Sequence, residues 1–315
     1  LYIQTDNLKP KTNNMKYVIT GGAGHTSGIV AEKLLAAGKD VTVLGRNAEN
    51  LKTLAAKGAK TAIGSLEDEA FVTKVLADAH AVYTMIPPNY TTDNFRAYQN
   101  RVGTNLYNAL KNSGVKFVVN LSSIGAHLHS KNSGGVVNGL GDFEAQLNTL
   151  DKVNVKHLRP GSFMYNFFSQ IPMIKAYGAL GGNYAGDKEA VVVHTKDIAA
   201  VAAEELLNLS FTGKSVRYIA GEITTMNEAV KILGTAIGKP DLKWMQVPDA
   251  QLKAGMIQGG LTETMADGLT EMGKAIASGE FVEDFDLHKP VLSPTKLSAF
   301  ATEFAAAFNA PASSH

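Results

Sequence analysis

The chain reads as an α/β protein, a doubly wound parallel sheet followed by a smaller, mainly helical C-terminal lobe. Three observations predict this. Residues 16–38, KYVITGGAGHTSGIVAEKLLAAG, pass from a buried strand through a glycine-rich turn into an amphipathic helix. Strand-like and helix-like segments then alternate at the spacing of parallel βαβ units up to residue 160. Beyond that point helical periodicity dominates.

In the first unit Tyr17, Val18 and Ile19 are aromatic or β-branched, and Val30 with Leu34 and Ala31 with Leu35 give the helix a core-facing stripe. Gly38 stands where a helix ends in the left-handed conformation. VTVLG at 41–45 predicts a second strand, with a helix from Ala48 carrying Leu51 and Leu54. KTAIG predicts a third strand, followed by a helix from about Leu66 and Glu67. AVYTMI at 81–86 is the fourth strand, stopped by Pro87 and Pro88, which cannot continue a central ladder. A helix over Asp93–Asn112 leads to KFVVNLSS, the fifth strand, ending at Ser122 and Ser123. Residues 127–141, rich in Gly, Ser and Asn, predict a loop, and Asp142–Leu150 a helix. NVKHLRPG is the sixth strand, ending at Arg159 and Pro160. Later helical segments, VVVHTKDIAAVAAEELL, TMNEAVKILGTAIG and residues 250–279, are separated by the short strands SVRYIAG and LKWMQV.

This divides the chain into an extension, tag or linker at 1–14, a nucleotide-binding domain at 15–160, and a lobe at 161–315 that covers the ligand cleft and shares the sheet. With 315 residues, 45% apolar and 19% charged, the composition is that of a soluble globular protein. A net charge of +1 with dispersed Lys and Arg gives no footprint for nucleic acid. The absence of cysteine excludes disulfides, thiolate metal sites and a cysteine nucleophile, and fits a cytoplasmic protein. The eight histidines include no metal-ligand pair on a helix, so no metal is expected. No apolar run approaches the ~20 residues of a membrane span, and the opening residues do not read as a signal peptide.

The turn from Gly21 through Gly22, Ala23, Gly24, His25 and Thr26 is the expected phosphate cradle. There the backbone can approach a pyrophosphate on the positive end of the next helix. Ser27 stands where the usual fingerprint has its third glycine, with Gly28 one residue later. At the end of the second strand no carboxylate is present to hold ribose hydroxyls. Arg46 and Asn47 stand there instead, and a guanidinium suits a 2′-phosphate; a solvated loop arginine is the alternative. Ser65 and Leu66 follow the third strand, Ser65 serving either the adenine side or as a helix N-cap. Ile86 and Pro87 would floor the ribose. Ser122 and Ser123 should face the nicotinamide, where a hydroxyl orients a substrate carbonyl, unless they only end the strand. His127 is either a proton donor or a solvated loop residue. Tyr165 and Asn166, with Phe163, Phe167 and Phe168, line the cleft or belong to the core.

TGGAGHTSG, the GRN after the second strand, GSLED, MIPP, NLSSIGAH, HLRPGSFMYN, HTKDIAAVA and TMNEAVKILGTAIGKP together resemble the NmrA-like branch of atypical short-chain dehydrogenases, over about Met15 to Val247. The resemblance implies a Rossmann domain with a small C-terminal lobe that binds NADP(H), with NAD(H) as the lesser alternative. It also implies either a reductase of quinones, dyes or aromatic ethers, or a nicotinamide sensor that regulates a partner. Gly21, Gly24 and Arg46 match the family's phosphate-binding positions, and Ser65 replaces an acidic residue common in it. The superfamily's Tyr-x-x-x-Lys pair is missing: with Glu144 aligned to the family's helix glutamate, Gly139 and Leu140 stand where the lysine would fall. The expectation is therefore a hydride-transferring reductase of a flat electrophile, with Ser123, His127 and Tyr165 as catalytic candidates. The alternative is a non-catalytic redox sensor. A small-molecule substrate and a homodimer are the expected partners.

Overall fold

The computed structural model describes residues 15–310; the expectation for residues 1–14 lies outside them. Along the first half run β1 (Lys16–Thr20), α1 (Ser27–Ala36), β2 (Asp40–Gly45), α2 (Ala48–Ala56), β3 (Lys60–Ile63), α3 (Glu69–Leu76), β4 (Ala81–Thr84), α4 (Phe95–Ser113), β5 (Phe117–Leu121), α5 (Asn138–Asn148) and β6 (Asn154–Pro160). The second half contains β7 (Ser162–Phe163), α6 (Ile171–Tyr177), β8 (Ala179–Gly182), β9 (Glu189–Val193), α7 (Thr195–Asn208), β10 (Lys214–Ile219) and β11 (Glu222–Thr225). It continues through α8 (Met226–Ala236), β12 (Lys243–Gln246), α9 (Asp249–Gln258), α10 (Glu263–Ser278), α11 (Glu283–Leu287) and α12 (Leu297–Asn309).

Seven strands pair in the order β10-β6-β5-β4-β1-β2-β3, all parallel. Strand order reverses between β1 and β4, and the crevice outside their carboxyl ends is where such sheets bind ligands. Val30, Leu34, Ile198 and Leu206 of α1 and α7 cover one face with Tyr17, Ile19 and Val43. Val72, Val102, Leu106 and Leu147 of α3, α4 and α5 cover the other, with Val18, Val82 and Val118. The long chain segment after β6 thus returns α7 and β10 to the first layer. It builds its own core from α8, α12 and the segment after β7, around Met164, Leu233, Phe300 and Phe304.

Several predicted boundaries move. The third helix starts at Glu69, capped by Asp68, whose carboxylate accepts from the Phe71 N–H at 3.0 Å. Ser65 is therefore not its N-cap; its hydroxyl accepts from the Glu67 N–H at 3.2 Å within the preceding turn. The strands β4 and β5 end at Thr84 and Leu121, before the prolines and serines. Residues 126–137 are not an open loop but two 3₁₀ turns leading straight into α5, which starts at Asn138 rather than Asp142. Their Ala126, Leu128 and Val137 are buried. The first residues of VVVHTKDIAAVAAEELL form β9, and α7 follows from its N-cap His194. Residues 250–279 break into α9 and α10 at Gly259 and Gly260.

Gly125 is the joint on which the last helices dock. Its φ is +81°, and a Cβ there would lie 2.5 Å from the Phe281 ring. Replacing Gly125 with alanine adds left-handed strain to a clash in a packed junction, an expected cost of about 2–4 kcal/mol. Denaturant unfolding of the variant checks this.

Candidate functional site

The glycine-rich turn is held from both sides. Thr20 Oγ1 accepts from the Met85 N–H at 2.9 Å, locking β1 to the chain leaving β4, and the Gly22 N–H donates to Leu44 O of β2 at 2.9 Å. Gly24 N–H to Gly21 O and Gly28 N–H to Gly24 O, at 2.8 and 2.9 Å, coil the turn directly into α1. Gly21 has φ +67°, and a Cβ on it would lie 2.6 Å from Met85 Sδ, so only glycine fits. Ser27, at the third fingerprint position, is fully buried beneath the turn, while Ala23, Gly24 and His25 form its exposed rim. The helix α1 has no side-chain cap and no acidic residue in its first turn, whereas Asn47, Asp68 and Asn94 cap α2, α3 and α4. The Gly28 N–H is spent on Gly24 O, but no side chain of the helix start competes with an anion there.

At the end of β2, Arg46 is exposed and makes no ion pair among the described residues. It lies in electrostatic range of Tyr98. Burial pushes the Tyr98 phenol up, and Arg46 offsets part of that rise. The Tyr98 hydroxyl donates to Pro87 O at 3.0 Å, which ties α4 to the chain leaving β4. Asn47 uses its amide oxygen to accept from the Glu49 N–H at 2.8 Å. Leu66 and Ile86 are buried, and the Leu66 carbonyl accepts from Asn105 Nδ2 at 3.0 Å.

Past β5 the two serines differ. The Ser122 N–H donates to Leu158 O at 2.8 Å, and its buried hydroxyl lies against the Glu144 carboxylate, whose pKa it helps to lower. The Ser123 hydroxyl donates to Ile124 O at 2.9 Å.

His127 is not a solvated loop residue. Its Nε2–H donates to Glu280 O at 3.2 Å and its Nδ1 is buried without a partner. Burial holds its pKa below the usual value, despite the nearby Asp284 carboxylate. Arg159 lowers that pKa further.

Tyr165 comes to the crevice. Its ring is 4.1 Å from that of His25, tilted by 39°, and it remains 41% exposed, bringing the second half of the chain onto the phosphate turn. The predicted aromatic cluster otherwise divides. Phe168 packs edge-on under Tyr165 and runs into Phe300 and Phe304, and Phe167 is buried against Phe300. Phe163 packs against the α1 and α7 core.

Two features escaped the sequence reading. Tyr90, two residues after Pro88, is 53% exposed and stacked on Phe95 with centroids 6.4 Å apart. Burial raises its pKa, and the Tyr165 phenol adds to the rise. An exposed tyrosine directly after a Pro-Pro strand stop was the available signal. The second feature is a buried ion pair. Arg159 Nε and Nη2 donate to both Glu144 oxygens at 3.0 and 2.6 Å, and its Nη1 donates to Tyr218 Oη and Asp284 Oδ2 at 3.0 and 2.9 Å. A cleft of about 710 Å³ opens beside this network, lined by Tyr218, Asp284 and His288 at the β10 edge. It lies four strands, roughly 19 Å, from β1 and is separate from the glycine-rich turn.

A glycine-rich turn at the switch point of a seven-stranded parallel sheet, feeding an uncapped helix, defines a Rossmann-type dinucleotide-binding protein. The chain belongs to the NmrA-like family, whose model matches residues 13–301. It is 26% identical over 296 residues to the NAD(P)H azoreductase of Xenophilus azovorans, covering 93% of this chain and 99% of that protein. An NADPH-dependent quinone oxidoreductase from Escherichia coli, solved in complex with NADPH, matches with a TM-score of 0.76 at 23% identity, covering 92% of this chain and 99% of that one. The triphenylmethane reductase of Citrobacter sp., complexed with NADP(H), matches with a TM-score of 0.75 at 22% identity, covering the same shares, 92% and 99%. Among the described residues no helix is long and apolar enough to cross a membrane.

Proposed function

We propose that the protein is an NADPH-dependent reductase that transfers a hydride to a flat electrophilic small molecule such as a quinone or dye. The observation that carries this reading is the Tyr165 ring lying on His25, which sets an aromatic surface over the phosphate turn. The kinds of protein it resembles, an azoreductase, a quinone oxidoreductase and a triphenylmethane reductase, agree in substrate shape.

The residues present fit the cofactor, because Gly21 packs too tightly on Met85 to carry a side chain, the rim at Ala23, Gly24 and His25 is exposed, and α1 has no side-chain cap. Gly21, Gly22, Ala23, Gly24, His25 and Thr26 would hold the pyrophosphate, Arg46 and Asn47 the 2′-phosphate, and Ser65 and Leu66 the adenine side. Ile86 and Pro87 would floor the ribose, with Ser122 at the nicotinamide end. The bound cofactor supplies the hydride. Tyr165 and His25 orient the flat acceptor, and the Tyr165 hydroxyl can hydrogen-bond the oxygen on which negative charge develops. Ser123 holds the Ile124 carbonyl and acts only by rotating away from it, and His127 would act from the Asp284 side. Proximity and orientation supply most of the acceleration, which suits an acceptor that needs little acid catalysis.

The test is NADPH oxidation, followed at the nicotinamide absorbance, across quinones, azo and triphenylmethane dyes, and aldehydes. Turnover of a flat acceptor is expected, and silence across all of them overturns the reading. Tyr165→Ala should raise KM for such an acceptor about five- to tenfold with a smaller change in kcat, the size of one lost aromatic contact.

A second reading is favoured by Gly139 and Leu140 standing where the relay lysine would fall: a non-catalytic NADP(H) sensor that docks a protein partner. It requires that oxidised and reduced cofactor stabilise different states. Equal protection of the chain from protease by NADP and NADPH would remove its basis.

A further inference from the structure

The sheet ends at β10, whose free side is covered by no other strand. In the register that sets Lys214 against Val155 and Tyr218 against Arg159, the Val155 N–H donates to Gly213 O and the Gly161 N–H to Ile219 O. The ladder to β6 therefore uses the backbone of residues 213, 215, 217 and 219. Val216 and Tyr218 turn their N–H and C=O groups outward, where they meet no partner among the described residues. Tyr218 is nonetheless buried, so its outward backbone faces the cleft described above. Unpaired backbone groups along a strand edge are a template for an added strand.

The far wall of the cleft is the stretch from His288 to Ser293, which rejoins the sheet just past the end of β10, where the Ser293 N–H donates to Ala220 O at 2.7 Å. That wall forms no strand of its own. Val291 on it is 96% exposed and Val216 on the β10 side is 42% exposed, an uncovered apolar surface beside an open edge. Tyr218 packs with Phe285 on one face of the sheet, and Ile219 with α7 on the other. An added strand would thus set one row of side chains toward Asp284 and the alternate row toward Val201.

Charge decides what that strand must carry. Two clusters border the cleft, each with two carboxylates on one guanidinium: Glu144 and Asp284 on Arg159, and Glu204 and Glu205 on Arg217. Lys289 on the wall is matched by Asp286, and Lys214 turns its ammonium away to Leu150 O. The surplus is negative. Asp284 uses Oδ2 for Arg159 and Tyr218, and its Oδ1 has only His288 Nδ1, at 3.6 Å, so that oxygen is open to a further donor. The exposed, flat His288 ring beside it suits a guanidinium better than an ammonium.

We propose that this cleft docks an extended, basic segment of a partner protein as an eighth strand, paired with the outward backbone of Val216 and Tyr218, with an arginine on Asp284 and apolar side chains on Val201. The inference goes beyond both readings above and stands whether or not the cofactor is turned over.

The test is fluorescence anisotropy of a labelled octapeptide of alternating Arg and Val, titrated with the full chain. Saturable binding is expected. It should fall about fivefold or more when alternate backbone nitrogens are methylated, which removes strand hydrogen bonds and keeps every side chain, and vanish when Glu replaces Arg. Val216→Pro deletes one outward N–H and leaves the ladder to β6 to the residues on either side, so the same loss is expected. Val291→Lys adds a repelling charge at an exposed wall position and serves where Val216→Pro folds poorly; it should weaken the peptide about threefold. No saturable binding, or binding indifferent to methylation and to Val291→Lys, overturns the proposal. So does a change of oligomeric state in Val216→Pro, seen by light scattering, which would show that the edge pairs with a second copy of this chain.

Discussion

Replacing Arg46 with alanine is expected to weaken NADPH binding by roughly 10- to 100-fold and to leave NADH binding nearly unchanged, the worth of charge-assisted hydrogen bonds to a phosphate. The strand β2 ends at Gly45 with no carboxylate following, so nothing there favours a free ribose 2′-hydroxyl. Arg46 is exposed and has no ion pair among the described residues, so it can reach a 2′-phosphate without first breaking another contact. Because the site is exposed, the preference should shrink as salt is raised, and Lys at this position should restore only part of it. Titrating both cofactors against wild type and Arg46→Ala decides the matter. Unchanged discrimination would show that Arg46 does not read the phosphate.

The parts of the fold that were legible in the sequence are those governed by local rules. A β-branched run, glycines at 21, 22 and 24, and an i, i+4 stripe specify β1, its turn and α1 without reference to anything distant. What failed was non-local. Residues 127–141 have loop composition, yet they are folded, because the glycines in and next to them are required by contact rather than by mobility. Gly125 takes the Phe281 ring, Gly139 takes Gln99 and Gly141 takes the His129 side chain. A glycine forced by crowding and a glycine in a flexible loop look the same in one sequence. The site shows the same division. Arg46 and the phosphate turn follow from spacing, whereas Tyr165 on His25 joins residues 140 positions apart. That His127 is held rather than solvated depends on the Glu280 carbonyl, 153 residues away.

Glu144→Leu should be among the most destabilising single changes in the chain, by about 3–5 kcal/mol, because it takes both hydrogen-bond partners from Arg159 Nε and Nη2 and leaves the guanidinium only the partly exposed Asp284 as counter-charge. The Arg159 and Glu144 side chains are only 10% and 6% exposed, and the two are joined by a bidentate bond. Replacing both with apolar residues should cost less than replacing Glu144 alone, since the charge then left without its partner is Asp284, which is 30% exposed and can be solvated. Burial opposes ionisation of Glu144, but the hydrogen bonds from Arg159 outweigh it and hold its pKa below the usual 4.5. Asp284 is held down in the same way, burial being overcome by its bonds from Tyr218 and the charge of Arg159. Groups with depressed folded pKa values contribute stability that is complete above their unfolded values and is lost as pH falls through the folded ones. Wild-type stability should therefore drop steeply below about pH 4.5, and Glu144→Leu, already less stable at neutral pH, should drop less steeply. A separate decline should begin higher, from His157. Its Nδ1 accepts from Asn120 Nδ2 at 3.2 Å while its Nε2–H donates to Asn148 Oδ1 at 3.0 Å, so protonation would set two donors face to face. Burial lowers its pKa below 6.5, the fold binds fewer protons than the unfolded chain, and stability is lost as pH falls below about 6.5. Denaturant midpoints measured from about pH 8 to about pH 4 resolve the two components. A Glu144→Leu protein whose acid profile parallels wild type would show that this ion pair is not what acid breaks.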